Sequence, residues 1–346
     1  MKQSDTIYFA VIGLAHGHIY QMCDGLISAG AKIKYVYDED EKAVNEFIQS
    51  YPQAKPVHCE KDILSDPEIS LIATADIPSR RADLAIRAMK AGKDFFTAKA
   101  PFVSLKQLHA VKRAIEKTGR KYFVFYSEYL QSEAALYARS VIEQGGIGKV
   151  LNVVILAPHK LGENRPEWFF SKKDTGGILI DIGSHQFEQF LTFSGNKKVK
   201  ILSANAANFG HSEKDEFEDF GDVHLIGENG TTCYIRVDWF TPDALPVFGD
   251  GKVVIVGDKG YMELRKYIDV GCGDQTENII LVANGKAEKF SAKGKIHKTF
   301  FQALLSDCRN RTETAMPVSH AFYAMELAIK AQQCAQRTRK RYEHRF

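Results

Sequence analysis

The sequence predicts a two-domain α/β protein, with a doubly wound parallel sheet first and an α+β domain with a large, mostly antiparallel open sheet second. The chain of 346 residues is longer than one average domain. Over residues 1–127, short apolar runs alternate with amphipathic stretches, the pattern of parallel strands joined by helices. From Val150 onward the apolar runs lengthen, gain β-branched and aromatic residues, and are separated by turn signals.

The first domain is predicted to comprise five strands and four helices. The expected strands are Ile7–Ile12, Lys32–Tyr37, Ser70–Ala73, Asp94–Phe96 and Tyr122–Tyr126. The expected helices are Ile19–Ala29, Glu41–Ser50, Arg80–Lys90 and Leu105–Thr118. A helix between successive strands supplies the crossover that parallel pairing requires.

The second domain, residues 128–346, is predicted to be one broad sheet with two helices. The expected strands are Val150–Leu156, Lys200–Ala207, Phe220–Ile226, Thr231–Phe240, Lys252–Val256 and Gly260–Lys266. The turn signals Glu228-Asn229-Gly230, Gly249-Asp250-Gly251 and Asn284-Gly285-Lys286 favour antiparallel hairpins. One helix is expected near Ile178–Ser194 and a last one over 318–336, which is expected to pack back on the first domain.

Composition and charge exclude several classes of protein. The net charge of +3 is too small to indicate a nucleic-acid or membrane partner. No apolar run approaches the roughly 18 residues of a membrane span, and the N-terminus has no signal-peptide layout, so the cytoplasm is the expected location. The six cysteines lack the two-to-four-residue spacing of a zinc site, and no metal is expected.

A glycine-containing turn directly after the first strand predicts a dinucleotide site of the Rossmann type. The turn Gly13-Leu14-Ala15-His16-Gly17-His18 opens a helix, and Asp38 ends the second strand. Free amides at the helix start suit a pyrophosphate, and an acid at the second strand suits ribose hydroxyls. Ala15 and His18 replace two glycines of the usual pattern. The alternatives are a turn that binds nothing, surface histidines at 16 and 18, and Asp38 as a helix N-cap.

Two further segments carry candidate catalytic residues. Lys99 follows a strand of the first domain, at the sheet edge where open α/β proteins bind ligands. The run Gly176 to His185 opens a helix on which Asp181 and His185 are four residues apart, about 40° apart on one face. The alternative is that Asp181 and His185 lie on a solvated helix face and that Lys99 is a loop cation. Before this helix, a polar loop offers Lys160, Arg165 and Trp168 as substrate contacts, with surface ion pairs and a packed tryptophan as the alternative.

Taken together, these motifs resemble the glucose-fructose oxidoreductase, inositol dehydrogenase and rhizopine-catabolism family, Gfo/Idh/MocA, over nearly the whole chain. The resemblance implies a dehydrogenase of sugars, inositol or related polyols, with Asp181 and His185 in the family's most specific motif. It implies that Lys99 is the lysine of the Glu-Lys-Pro signature, although Ala98 replaces the glutamate and proline arrives late, at Pro101. Cofactor contacts are implied for Thr74 and Lys99, and a homodimer or homotetramer through the second sheet.

The residue chemistry agrees with that interpretation. Oxidation of a carbinol needs a base for the hydroxyl proton and a positive charge near the developing alkoxide. His185 suits the first task and Lys99 the second, and Asp181 can orient the imidazole or hold a neighbouring hydroxyl. Asp38 would repel a 2′-phosphate, which predicts NAD over NADP. An NAD-dependent glycoside hydrolase and a non-catalytic nucleotide- or sugar-sensing protein remain alternative functions.

Overall fold

A computed structural model describes residues 6–272 and 276–343. The chain forms two compact units, a first unit of residues 1–125 and 299–322 and a second unit of residues 126–298 and 323–346. Residues 299–322 were predicted to belong to the second domain, whereas they lie in the first unit.

Fourteen strands occur in the described residues. They are β1 Tyr8–Ile12, β2 Lys32–Tyr37, β3 Lys55–Pro56, β4 Ile69–Thr74, β5 Asp94–Ala98, β6 Tyr122–Phe125, β7 Val150–Pro158, β8 Val199–Ala207, β9 Phe220–Gly227, β10 Thr232–Asp238, β11 Lys252–Gly257, β12 Gly260–Arg265, β13 Asn278–Ala283 and β14 Lys286–Ser291.

Twelve α-helices occur in the same residues, with 3₁₀ helices at Glu167–Phe170 and Val270–Cys272. They are α1 His18–Ser28, α2 Glu41–Ser50, α3 Glu60–Ser65, α4 Pro78–Lys90, α5 Leu105–Thr118, α6 Ser127–Leu130, α7 Glu133–Glu143, α8 Lys172–Thr175, α9 Ile178–Asp181, α10 Gly183–Ser194, α11 Phe300–Asn310 and α12 Val318–Glu343.

The first unit contains a parallel sheet in the order β3-β2-β1-β4-β5-β6. The five predicted strands and four predicted helices are confirmed to within two residues at each end. The sequence analysis missed β3 and α3, because both are short and β3 is exposed. Helix α11 was also missed, and it contributes Phe300 and Phe301, whose rings pack 5.9 and 6.0 Å from that of Phe96.

The second unit contains an eight-stranded sheet in the order β14-β13-β12-β11-β7-β10-β9-β8. All neighbours are antiparallel except β10, which pairs parallel to β7. The turns at 228–230 and 284–286 are confirmed as hairpin turns. The prediction for 249–251 was wrong, because β10 and β11 lie on opposite sides of β7 and do not pair. The predicted fold class is confirmed.

One face of this sheet is buried and the other is open. Core positions such as Val153, Ile235, Val253, Leu264 and Ile279 are fully buried. A row of cross-strand neighbours on the opposite face stays partly or fully exposed; in sheet order it runs Ile280, Glu263, Val254, Val154, Tyr234 and His224. This alternation follows from the two-residue period of strands, and it leaves an apolar surface accessible in the monomer.

The last helix extends beyond its predicted end, to Glu343. Its start belongs to the first unit, where Phe322 packs against Phe102 and Tyr122 at centroid distances of 4.9 and 5.2 Å. Its remainder belongs to the second unit, where Gln332 is buried. No helix in the described part of the chain is long and apolar enough to cross a membrane.

Candidate active site

The glycine turn after β1 is held between the ends of the neighbouring strands. The Gly13 amide donates to the Tyr37 carbonyl at 3.0 Å, and the Ala75 amide donates to the Gly13 carbonyl at 3.1 Å. Gly13 has φ +92°, and a Cβ there would lie 2.4 Å from Cβ of Asp76, so only glycine fits. Ala15 and Gly17 are exposed, and their amides have no hydrogen-bond partner in the described part of the chain. This turn therefore leaves two donors accessible at the start of α1.

The two histidines of the turn pack on each other at the start of α1. Their ring centroids are 4.2 Å apart, and Nδ1 of His16 accepts a hydrogen bond from the His18 amide at 3.2 Å. The His18 ring also contacts Phe125 edge-on at 6.2 Å. His18 thus fills, with an aromatic contact, the place where the usual glycine would pack helix on strand.

Asp38 is bound to the turn rather than to the following helix. Its Oδ2 accepts from the Leu14 amide at 2.6 Å and its Oδ1 from the Asp40 amide at 2.8 Å. The N-cap of α2 is Asp40, whose carboxylate accepts from the amides of Lys42 and Ala43. The alternative interpretation of Asp38 as that helix's cap is therefore wrong.

Asp38 lies on the wall of a cavity of about 360 Å³ in the first unit. Its lining residues are Ile12, Gly13, Tyr37, Asp38, Glu39, Glu60, Asp76, Ser79, Arg80, Asp83, Leu84 and Arg87. Both arginines are already paired, Arg80 with Glu39 at 3.4 Å and Arg87 with Glu60 at 2.6 Å. Burial raises the pKa of Asp76, although the Ile77 amide and the charges of Arg81 and Arg80 oppose this shift. The turn, the acid and the cavity fit the ribose and pyrophosphate of a dinucleotide.

The strand end that carries Lys99 is fixed by a buried arginine that the sequence analysis missed. Arg81 is fully buried, and its Nη1 donates to the carbonyls of Ala98, Lys99 and Ala100 at 2.9, 2.6 and 3.0 Å. The Lys99–Ala100 peptide bond is cis, and Lys99 is 7% exposed. Thr74, at the end of the adjacent strand β4, is buried and accepts from the Asp76 amide at 3.1 Å. Arg81 therefore orders the backbone around Lys99 despite the altered signature.

The helical segment bearing Asp181 begins at a glycine that no other residue can replace. Gly177 has φ +100°, and a Cβ there would lie 2.6 Å from Cδ of Gln332 and from Oε2 of Glu218. Glu218 accepts from the Ile178 amide at 3.1 Å and from Gln332 Nε2, and Gln332 accepts from the Leu179 amide at 3.1 Å. These two buried side chains satisfy the first free amides of the segment and fix where it starts.

The single helix expected over 178–194 is two segments, α9 and α10, with a turn at Ile182. The Ser184 hydroxyl donates to the Asp181 carbonyl at 3.2 Å, and the His185 amide donates to the Ile182 carbonyl, three residues back, at 3.1 Å. This tighter turn replaces one ordinary helical hydrogen bond. Asp181 is partly exposed and His185 is buried in the second unit.

A buried charged network lies next to His185. The Lys266 ammonium is 3.0 Å from Oε2 of Glu128, and Gln186 Nε2 donates to the same oxygen at 2.8 Å. Burial by itself raises the pKa of Glu128, but the charges of Lys266 and then His185 hold it well below its usual range. The ring of Tyr126 contacts His185 edge-on at 6.0 Å. This network was not predicted, because Glu128 in α6, Gln186 in α10 and Lys266 just after β12 are far apart in the chain.

The three predicted substrate contacts have different surroundings in the second unit. Lys160 Nζ donates to the carbonyls of Asp243 and Leu245 at 2.9 and 2.6 Å, so it holds the loop after β10. Trp168 is partly exposed and contacts Phe169 edge-on at 6.0 Å. Arg165 lies among aromatic rings and close enough to Asp181 for that carboxylate to act on its pKa. No group of three metal-ligating side chains occurs within residues 6–272 and 276–343.

Comparison with known proteins agrees with this fold. Residues 135–263 match the model of the GFO/IDH/MocA C-terminal domain. A solved structure from Erwinia carotovora atroseptica SCRI1043, of a protein provisionally named an oxidoreductase, is 46% identical; the match covers 95% of this chain and 98% of that one, with a TM-score of 0.93. The fold thus defines an α/β protein with a doubly wound parallel sheet and an added eight-stranded sheet domain. The chain belongs to the Gfo/Idh/MocA family.

Two curated relatives are more distant. D-xylose dehydrogenase of Paenarthrobacter nicotinovorans is 25% identical over 51% of this chain and 46% of its own length. The scyllo-inositol 2-dehydrogenase (NADP(+)) IolW of Bacillus subtilis (strain 168) is 22% identical over 66% of this chain and 64% of its own length. The matched stretches thus span less than two thirds of either relative.

Proposed function

We propose that this protein is an NAD-dependent oxidoreductase that interconverts a hydroxyl and a carbonyl group on a sugar, an inositol or a related polyol. The Gly176–His185 segment carries the proposal, because it keeps the family's Asp and His at the right spacing and its start is fixed by Glu218 and Gln332. The names of the two curated relatives support the substrate class. When bound, NAD supplies the hydride acceptor.

Three side chains carry the proposed chemistry. His185 accepts the proton of the reacting hydroxyl, since a neutral imidazole is a good base near pH 7. Asp181 orients that imidazole and stabilises its charged form. The Lys99 ammonium, on a backbone fixed by Arg81, stabilises negative charge that develops on the substrate oxygen. In the glycine turn after β1, the free amides of Ala15 and Gly17 would hold the pyrophosphate of the cofactor.

The preference for NAD over NADP rests on the charges around the cavity in the first unit. Five carboxylates and two guanidiniums line it, and each guanidinium is already bound to one of the carboxylates. A 2′-phosphate placed near Asp38 would therefore meet excess negative charge and no free cation of the lining. NAD carries two ribose hydroxyls at that position, and a carboxylate can accept hydrogen bonds from them.

Calorimetric titration with both cofactors tests this preference. Wild-type protein should bind NAD at least about tenfold more tightly than NADP. Asp38→Asn should reduce that ratio, while the matched control Asp40→Asn, which alters a neighbouring carboxylate outside the cavity lining, should leave it unchanged. Equal affinity for both cofactors in the wild type would contradict the proposal.

A panel of sugars and polyols, followed by NADH absorbance, tests the activity itself. Net NADH formation is the expected result for at least one member of the panel. Release of a free sugar from a glycoside without net NADH would instead identify the hydrolase alternative. Cofactor binding without turnover of any substrate would favour the sensing alternative.

We also propose that the open face of the second-unit sheet binds a second copy of the chain. Val254, Val154 and Tyr234 are successive cross-strand neighbours on that face, and Glu263 separates them from Ile280. All of these side chains are partly exposed, and an exposed apolar surface is typical of interfaces. Sedimentation should give a dimer or tetramer, and Val154→Glu should shift it toward monomer. A wild-type monomer at micromolar concentration would contradict this.

A further inference from the structure

The Arg165 guanidinium is surrounded by aromatic rings in the second unit. Its Cζ lies 4.6 Å from the ring centroid of Phe169, 5.4 Å from that of Trp239 and 5.8 Å from that of Phe248. These rings attract the cation, and they also remove water from its faces. Burial lowers the pKa of Arg165, and the nearby Asp181 carboxylate opposes that shift.

Arg165 keeps most of its hydrogen-bonding capacity unused. Its Nε donates to the Leu161 carbonyl at 2.5 Å, and in the described part of the chain this is its one hydrogen bond. No carboxylate among the described residues lies within 4.0 Å of it. Arg87 and Arg311, by contrast, each bind a carboxylate through two nitrogens. The two terminal nitrogens of Arg165 are thus available to a ligand.

The other basic residues around these rings are already committed. Lys160 Nζ holds the Asp243 and Leu245 carbonyls. His159, whose ring lies 5.7 Å from that of Trp239, has its Nε2 3.4 Å from a buried carboxylate oxygen of Glu128. Of these three residues, Arg165 is therefore the one that keeps most of its N–H donors without a bonded acceptor among the described residues.

We propose that Arg165 binds a carboxylate of the substrate, so that the natural substrate is a sugar acid such as a uronate or an aldonate. This inference rests on the proposed function and narrows its substrate class. A partly dehydrated guanidinium with two free parallel N–H groups gains more from a planar carboxylate than from a neutral hydroxyl pair. One available cation suits a singly charged group better than a phosphate dianion. Because Asp181 lies near the same guanidinium, this carboxylate subsite would lie near the proposed reacting hydroxyl.

Matched substrate pairs test the proposal. D-glucose with D-glucuronate and D-gluconate, and D-galactose with D-galacturonate and D-galactonate, differ at one terminal carbon. For wild-type protein, kcat/KM should be about 10- to 200-fold higher for an acid than for its neutral parent. Arg165→Met should remove that preference, chiefly by raising KM for the acid. Arg165→Lys should restore part of it.

Lys214→Met is the matched control, because Lys214 is also a cation over an aromatic ring, 4.6 Å from the centroid of Phe170, but it is paired with Glu167. It should keep the wild-type preference for acids. The unfolding temperature of each variant without ligand shows whether it is folded.

A binding measurement separates failure of this inference from failure of the proposed function. Glucuronate or another acid of the panel should raise the thermal unfolding temperature of wild type and Lys214→Met, but not of Arg165→Met. That pattern without turnover would keep the carboxylate subsite and refute the dehydrogenase. Turnover of neutral sugars at rates equal to or above those of the acids would refute the subsite and keep the dehydrogenase. The subsite is also refuted if glucose 6-phosphate is preferred, if Arg165→Met leaves the acid preference intact, or if no acid binds or reacts.

Discussion

Removing one partner of the buried Glu128–Lys266 ion pair should destabilise the second unit by about 3–5 kcal/mol. The side chains are 6% and 1% exposed and the charged atoms are 3.0 Å apart. Gln186 and Gln189 complete their hydrogen bonds, the latter as an acceptor from Lys266 at 3.2 Å. Either Glu128→Met or Lys266→Met leaves the opposite charge buried without its partner, which is the source of this large effect.

The double variant separates the ion pair from simple packing. With both residues changed to Met, no uncompensated charge remains, so the loss should be well below the sum of the two single losses. Lys330→Met, which breaks the exposed Lys330–Glu326 pair, is the control and should cost less than about 1 kcal/mol.

Tryptophan fluorescence during denaturant unfolding is a suitable assay. Both tryptophans of the sequence, Trp168 and Trp239, lie in the second unit, so the signal reports on that unit alone. Single-variant losses below about 1 kcal/mol, or losses that add fully in the double variant, would refute the reasoning.

The pH dependence gives an independent check with a defined sign. The folded-state pKa of Glu128 lies well below its ordinary value of 4.5. Burial by itself raises this pKa, but the charges of Lys266, His185 and His159 lower it by more than burial raises it. A depressed carboxyl pKa contributes stability that is present above the ordinary value and is lost as the pH falls through the folded-state value. The stability that wild type has over Glu128→Met should therefore be present above the ordinary value of 4.5 and shrink as the pH falls below it.

Three further predictions concern the proposed chemistry. Lys99→Met should keep folding and NAD binding but reduce turnover about 10²- to 10³-fold; wild-type turnover would remove Lys99 from the mechanism. His185→Asn should slow turnover about 10²- to 10⁴-fold and abolish the rise of the wild-type rate with pH. Asp181→Asn should reduce turnover less than His185→Asn does. Rates measured against pH and with a deuterated substrate check both expectations. Gly177→Ala should cost about 3 kcal/mol or more, because its Cβ overlaps the buried Glu218 carboxylate, and a normal urea midpoint would contradict that.

Local patterns in the sequence predicted most of the elements. The hydrophobic periods of 2 and 3.6 residues indicated the parallel sheet and most strands of the second sheet. Strand β13, an apolar run directly before the identified turn at 284–286, was missed. Strand β14 was missed as well, because it is exposed along most of its length. Such edge strands are formed by pairing with a neighbour rather than by their own composition.

The candidate site was predicted only where its residues follow one another in the chain. The turn at Gly13 and the Asp181–His185 spacing are local, so the sequence by itself determined them. Only the structure gives the hydrogen-bond partners of Asp38 and Lys160, which are distant in sequence: Leu14 for Asp38, and Asp243 and Leu245 for Lys160.

Only the tertiary structure decided which charges are matched and which remain available. Glu128 and Lys266 are 138 residues apart, and they meet because strand pairing places the end of β12 beside α6. The rings around Arg165 come from positions 169, 239 and 248, which no sequence period relates. Side-chain contacts of this kind depend on strand order and packing, which many sequences satisfy in different ways. A single sequence therefore identifies the charged residues but does not pair them.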